Sequence, residues 1–180
     1  IYDMQSQIAS SNNIVIVSGY VGFRPIQRLG SICKDTNITI IYGMYGSERI
    51  SLPLHNALLD IQKKYPNIQI LYSTIPVHSK IYTWKNGSAI EKALVGSANF
   101  SVNGLMNDYK EILTDVDSHT FENLKEYCDF IQSKAIDCTN GSVEIRNIYK
   151  ASARSKQAQP LLSKNVCRAT LLDRTGKVSP

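Results

Sequence analysis

The sequence has no apolar run near the ~18 to 20 residues that a membrane-spanning helix requires, so no such helix is expected. No secretory or transit pattern is visible, and the chain opens on Ile1 rather than Met, which fits a processed or excised piece. The four cysteines, Cys33, Cys128, Cys138 and Cys167, are 95, 10 and 29 positions apart, so there is no C-x2-C pair for a zinc site. A Cys128–Cys138 disulfide is conceivable, but a reduced, cytoplasmic protein is the default expectation. No cluster of carboxylates stands ready for magnesium, so the expected chemistry uses no metal and no cofactor. Histidine is scarce, at three residues. Internal repeats and low-complexity tracts are absent.

What remains is enough for one ordinary domain. The chain has 180 residues, of which 43% are hydrophobic. Its net charge of +5 is unevenly placed. Residues 141–180 carry eight basic side chains against Glu144 and Asp173, a net of +6, and the preceding 140 residues are close to neutral at −1. A basic tail beside a neutral body suits a polyanion such as nucleic acid, and equally a solvated, weakly ordered linker.

The first 75 residues read β-α-β-α-β. "NNIVIVSGYVG" is a β-branched run ending in Gly, and "RPIQRLGSICKD" has Pro25 in a first helical turn with apolar residues at helical spacing. "NITIIYGMYG" is a second strand. Ser51 is placed to cap a helix with Leu54, Ala57, Leu58 and Ile61 on one face, stopped by Tyr65-Pro66-Asn67. "IQILYSTI" is a third strand. The order implies a largely parallel sheet covered by helices. Then "HSKIYTW" and "EKALVGS" read as strands joined by an Asn-Gly turn, and "KEILTDV" as another strand. Ser118 is expected to cap a last helix, with Phe121, Leu124, Cys128 and Ile131 on one face, ending near Asp137. The fold class is α/β with a mixed sheet. Beyond residue 140, "NIYKASARSKQAQPLLSKN" reads as a linker, and "VCRATLLDRTGKVSP" as the first strand and turn of something that does not continue.

The chemistry concentrates in "VHSKIYTWKNGSAIEKALVGSANFS", residues 77–101. On a strand, residues two apart share a face, so His78 and Lys80 point together, followed by Tyr82 and Trp84. An imidazole can attack phosphorus or transfer a proton, because its pKa of ~6.5 leaves both forms accessible. Lys80 adds charge, Asn99 an amide donor and Ser97 a hydroxyl. His-x-Lys alone is a weak signal, and Gly-Ser-Ala-Asn alone is an ordinary turn. In this order on adjacent strands they are far more specific.

"HSK" followed by "GSAN" resembles the H-x-K…G-S-x-N signature of the phospholipase D superfamily. The resemblance spans about residues 10 to 135. It implies a phospholipase-D-like α/β/α sandwich with a mixed β-sheet, in which two copies of the motif build one active site. It implies His78 as the nucleophile of a covalent phosphohistidine, Lys80 and Asn99 as ligands of the phosphate oxygens, and Ser97 as a support of the site by hydrogen bonding. Glu111, a dozen residues after Asn99, matches the Glu that orients the His in single-motif nucleases. Two departures stand out. Lys85 occupies a position where many members have Asp, and the Lys-to-Gly interval is longer. Both weigh against a lipid substrate. With one motif per chain, the second histidine is expected from a second copy across a two-fold axis. His55 and His119 have no comparable setting and read as ordinary surface or capping residues.

"VSGYVGFRPI", "NITIIYGMYG", "HSKIYTWK", "GSANFSVNGL" and "TLLDRTGKVSP" further resemble the NgoFVII-like Type II restriction endonucleases of bacteria, which join such a nuclease domain through a linker to a DNA-recognition domain. On that resemblance, residues 1–140 are the cleavage domain of a metal-independent DNA endonuclease. Residues 141–180 are the basic linker and the start of the recognition domain, the rest of which is missing. Double-stranded DNA is the partner, and Arg146, Lys150, Arg154 and Lys156 lie along its backbone. The alternatives are a nonspecific nuclease or lipid phosphodiesterase of the superfamily, and a non-enzymatic module on the same fold.

Overall fold

The β-branched runs become the centre of one seven-stranded sheet. The computed structural model describes residues 11–106 and 110–146. Strands β1 (Asn13–Ser18), β2 (Asn37–Tyr42) and β3 (Ile68–Ser73) are parallel neighbours. They are linked by helices α1 (Phe23–Ile32) and α3 (Leu52–Lys64), with a single turn, α2 (Tyr45–Glu48), after β2. β4 (Lys80–Asn86) then adds antiparallel to β1, followed by β5 (Ala89–Gly96) and β6 (Leu113–Asp115). The short helix α4 (Val102–Met106) lies between β5 and β6, and α5 (Phe121–Ser133) precedes β7 (Ala135–Asp137), which pairs antiparallel with β3. The sheet order is β6-β5-β4-β1-β2-β3-β7.

Side-chain alternation along the strands makes two cores. Ile14, Ile16, Ile40, Ile70, Tyr72, Tyr82 and Trp84 pack on one face with Ile26 and Leu29 of α1 and Leu58 and Ile61 of α3. Val17, Ile41, Leu71 and Ile81 face the other way and meet Cys128 and Ile131 of α5. This is an α/β/α sandwich with a mixed sheet, as expected. Each fully buried Ile or Leu contributes roughly 1.5 to 3 kcal/mol, so the central strands anchor the fold.

Several boundaries differ from the sequence reading. α5 stops at Ser133, and the expected helical tail near Asp137 is instead β7, which covers the free edge of β3. Asp117, not Ser118, caps the turn before α5, accepting from the His119 N–H at 3.1 Å. Ser51 occupies the N-cap position of α3 without a side-chain cap bond. The β4–β5 loop is Gly87-Ser88, with Asn86 still paired to Ala89, and Gly87 supplies the positive φ of 58°. The thiols of Cys33, Cys128 and Cys138 are free and buried. No helix among the described residues is long and apolar enough to cross a membrane. After β7 the chain runs back to the body, where Ile145 bridges Ile50 and the Arg146 N–H donates to the Ile50 carbonyl at 2.7 Å.

Candidate active site

The strand register lines up one edge of the sheet. Ser18 at the end of β1 pairs with Lys80 at the start of β4, Ile81 with Val95, and Gly96 at the end of β5 with Leu113 of β6. The residues just beyond that line are Gly19, His78, Ser97, Asn99 and Glu111. Crevices outside the carboxyl ends of parallel strands are where α/β folds bind ligands, and β1 and β2 both end here.

His78 precedes β4 and is exposed, whereas Lys80 is 6% exposed. The Lys80 ammonium lies 2.9 Å from His78 Nδ1, 3.2 Å from Nε2 and 2.5 Å from the His78 carbonyl. An ammonium only donates, so the ring nitrogen that it bonds is an unprotonated one. Burial lowers the Lys80 pKa below its usual value, and the Glu111 carboxylate acts in the opposite direction. A buried cation with few partners is a strong site for an incoming anion.

Asn99 faces the same point. Its Oδ1 accepts from the Tyr20 N–H at 3.0 Å, which leaves the amide NH2 as the donor end. A Cβ on Gly19 would lie 3.0 Å from His78 Cδ2, 3.3 Å from Lys80 Nζ and 3.4 Å from Asn99 Oδ1. The Gly19 backbone is therefore the floor against which all three groups converge.

Ser97 and Glu111 form the adjoining wall. The Ser97 hydroxyl donates to Glu111 Oε2 in a short hydrogen bond and accepts from the Ile112 N–H at 3.1 Å. Among the described residues no hydrogen bond joins Glu111 to His78. The turn carrying Ser97 and Asn99 is held from below. Tyr82 donates to the Ala98 carbonyl at 2.6 Å, and Ser18 Oγ accepts from the Phe100 N–H at 2.9 Å while donating to the Tyr20 carbonyl at 2.7 Å.

Lys85 projects to the opposite face of β4, toward Asp129 of α5 at 4.0 Å. His55 Nδ1 stands 3.0 Å from the Tyr72 hydroxyl, and His119 Nδ1 2.6 Å from Asp117. Arg146 reaches Glu48 at 3.6 Å. Glu48 accepts from the Tyr20 hydroxyl at 2.6 Å, and the Tyr20 ring stands edge-on to His78 with centroids 6.0 Å apart. Lys150, Arg154 and Lys156 lie outside the described residues. Among the described residues no group of three or more His, Cys, Asp or Glu side chains could hold a metal ion.

Gly19, Ser18 and Tyr20 carry the site without having been marked by the sequence reading, and Tyr82, read there only as following His78 and Lys80 on their face, supports the turn through the Ala98 carbonyl. The available signal was "SGY" directly after a buried parallel strand, the position where α/β sheets open to ligands.

This fold and this meeting of His, Lys and Asn define the class as phospholipase-D-like. NucT from Helicobacter pylori superposes with a TM-score of 0.54 at 23% identity, over 75% of this chain and 88% of that one. A phospholipase D family member, Nuc from Salmonella typhimurium, gives 0.52 at 14% identity, over 73% and 86%. A polyphosphate kinase from Porphyromonas gingivalis gives 0.51 at 13% identity, over 76% of this chain but 20% of the kinase. A comparison with curated proteins finds no match. Residues 1–145 match the family described as the NgoFVII restriction endonuclease N-terminal PLD domain, and the chain belongs to that family.

Proposed function

We propose that this chain is the cleavage domain of a Type II restriction endonuclease that hydrolyses DNA phosphodiesters without a metal, through a covalent phosphohistidine. The observation that carries this reading is the convergence of His78, Lys80 and Asn99 on Gly19. An ammonium and an amide are the donors that a phosphodiester's non-bridging oxygens need, and they would do the charge stabilisation that a metal does elsewhere.

In this reading one His78 ring nitrogen attacks phosphorus. A P–N bond forms, and the bond to the leaving oxygen breaks. That oxygen needs a proton, and His78 can no longer supply it once bonded to phosphorus. His55 and His119 are engaged with Tyr72 and Asp117, so the acid is assigned to His78 of a second copy in a homodimer. The same group then takes a proton from water as water attacks phosphorus and releases the first histidine. Glu111 acts through Ser97, fixing the turn that carries Asn99, and orients His78 once substrate is bound. Arg146, with Lys150, Arg154 and Lys156, contacts the DNA backbone. Residues 1–140 form the nuclease domain, and residues 141–180 link it to a DNA-recognition domain.

The test is cleavage of duplex DNA in excess EDTA by the parent chain and by His78→Ala, with the solution mass determined on the same samples. The expected result is cutting by a dimeric parent that survives EDTA and is lost in the variant. Cutting that EDTA abolishes would contradict the reading.

A further inference from the structure

One surface outside the site has features that the proposed chemistry leaves unused. From residue 4 to residue 34 the sequence holds no Asp or Glu, while Arg24, Arg28 and Lys34 are present. Helix α1 turns Ile26 and Leu29 into the core and exposes Phe23, Arg24, Gln27, Arg28 and Ser31. Phe23 is 43% exposed at the start of the helix, a large apolar ring in a basic setting.

Two shallow cavities meet along this strip, and both are lined by Arg24. The first, about 350 Å³, lies between Gly22, Phe23 and Arg24 on one side and Ser101, Val102 and Asn103 on the other. The second, about 450 Å³, continues past Gln27, Arg28 and Ser31 to Tyr65. The first is lined by the segments that lead directly out of the candidate active site. Gly22 follows Tyr20 by two residues, and Ser101 follows Asn99 by two, so each step is at most about 7 Å. The two segments are stitched together by the Gly22 N–H to the Phe100 carbonyl at 2.9 Å and by the Val21–Phe100 bridge. Arg24 and Arg28 are one helical turn apart, about 6 Å along the axis.

We propose that this strip binds the DNA strand running into the active site, with Arg24 and Arg28 on successive backbone phosphates and the Phe23 ring against a deoxyribose in the first cavity. The inference rests on the DNA-endonuclease reading and adds a substrate track to it. Charge complementarity and continuity with the site select this occupant. The contacts are to the backbone, so they add affinity and register without reading sequence.

The experiment is equilibrium binding of duplex DNA to the 180-residue chain carrying His78→Ala, which keeps the DNA intact, across a salt series. Four versions are compared: no further change, Arg24→Gln/Arg28→Gln, Phe23→Ala, and Lys125→Gln/Lys134→Gln. The last pair removes one charge from α5 and one from its C-cap residue, on the opposite face of the sheet. The double arginine variant is expected to flatten the slope of log K against log salt by about 1.8, that is about 0.9 for each lost phosphate contact. Phe23→Ala is expected to weaken binding several-fold with the slope kept. The α5 pair should leave both unchanged. If the parent binds DNA and the arginine variant keeps its slope, or changes no more than the α5 pair, the strip is not the track while the endonuclease reading stands. If the parent shows no salt-dependent DNA binding, both fall.

Discussion

Gly19 and His78 share one small space: a methyl group on residue 19 would stand 3.0 Å from His78 Cδ2. It would also stand 3.3 Å from Lys80 Nζ. The glycine thus lets the backbone approach the reacting groups closely. Gly19→Ala is expected to lower the cleavage rate by about 10- to 100-fold, because displacements of about 1 Å cost that much in a positioned site. The thermal midpoint should barely change. Rates and calorimetry on the same preparation check both halves.

Lys80 is a cation held in a dry place. Its pKa lies below the usual lysine value because burial disfavours the charged form. Lys80→Met removes that cost and keeps the packing. Activity should fall by about 10²-fold or more, as when a transition-state donor is lost. Stability at neutral pH should hold or rise. The depressed folded-state pKa means that the charged lysine destabilises the fold below it. The variant's advantage should therefore shrink as pH climbs through that pKa toward the unfolded value. Melting curves across the alkaline range give the answer.

The Glu111 carboxylate favours the charged form of Lys80. Glu111→Gln keeps an acceptor for the Ser97 hydroxyl and removes the charge. Lys80 should then lose its proton at lower pH, and the alkaline limb of the pH–rate profile should move down. A purely structural role would reduce the rate with the profile unmoved.

His55 titrates within the fold, bonded to Tyr72. Burial holds its pKa below the ordinary 6.5. The folded state takes up that proton less readily than the unfolded chain. Stability present above about pH 6.5 is therefore lost as pH falls toward the folded-state pKa. In His55→Gln the drop in thermal midpoint between pH 7.5 and 5 should be smaller than in the parent.

Much of this was legible in sequence for identifiable reasons. The run Ile14–Val17 has no hydrophilic face, so it reads as a central strand, and it is one. The two-residue spacing of His78 and Lys80 put them on one side even though β4 begins only at Lys80. The close approach of Gly19 was hidden, because a glycine that ends a strand looks the same as one that admits a neighbour. Only the Ser18–Lys80 pairing across β1 and β4 distinguishes them. The Ser97–Glu111 bond joins residues 14 apart through the β5–β6 pairing, and no local period marks it. α2 and α4 are too short to carry a helical repeat. β7 was read as helix because Ala135 and Ile136 extend the apolar spacing of α5, whereas the open edge of β3 decides their conformation.

The central claim is that His78 becomes covalently bonded to phosphorus. The most direct measurement mixes the parent chain with duplex DNA labelled with radioactive phosphate throughout, quenches it in alkaline denaturant with EDTA, and follows label on the protein through time. Our account predicts protein-bound label that appears before product, survives alkali, is released by acid, maps to His78 and is absent from His78→Ala. Complete cleavage with no protein-bound label at any time point, or label that persists in His78→Ala, would contradict it.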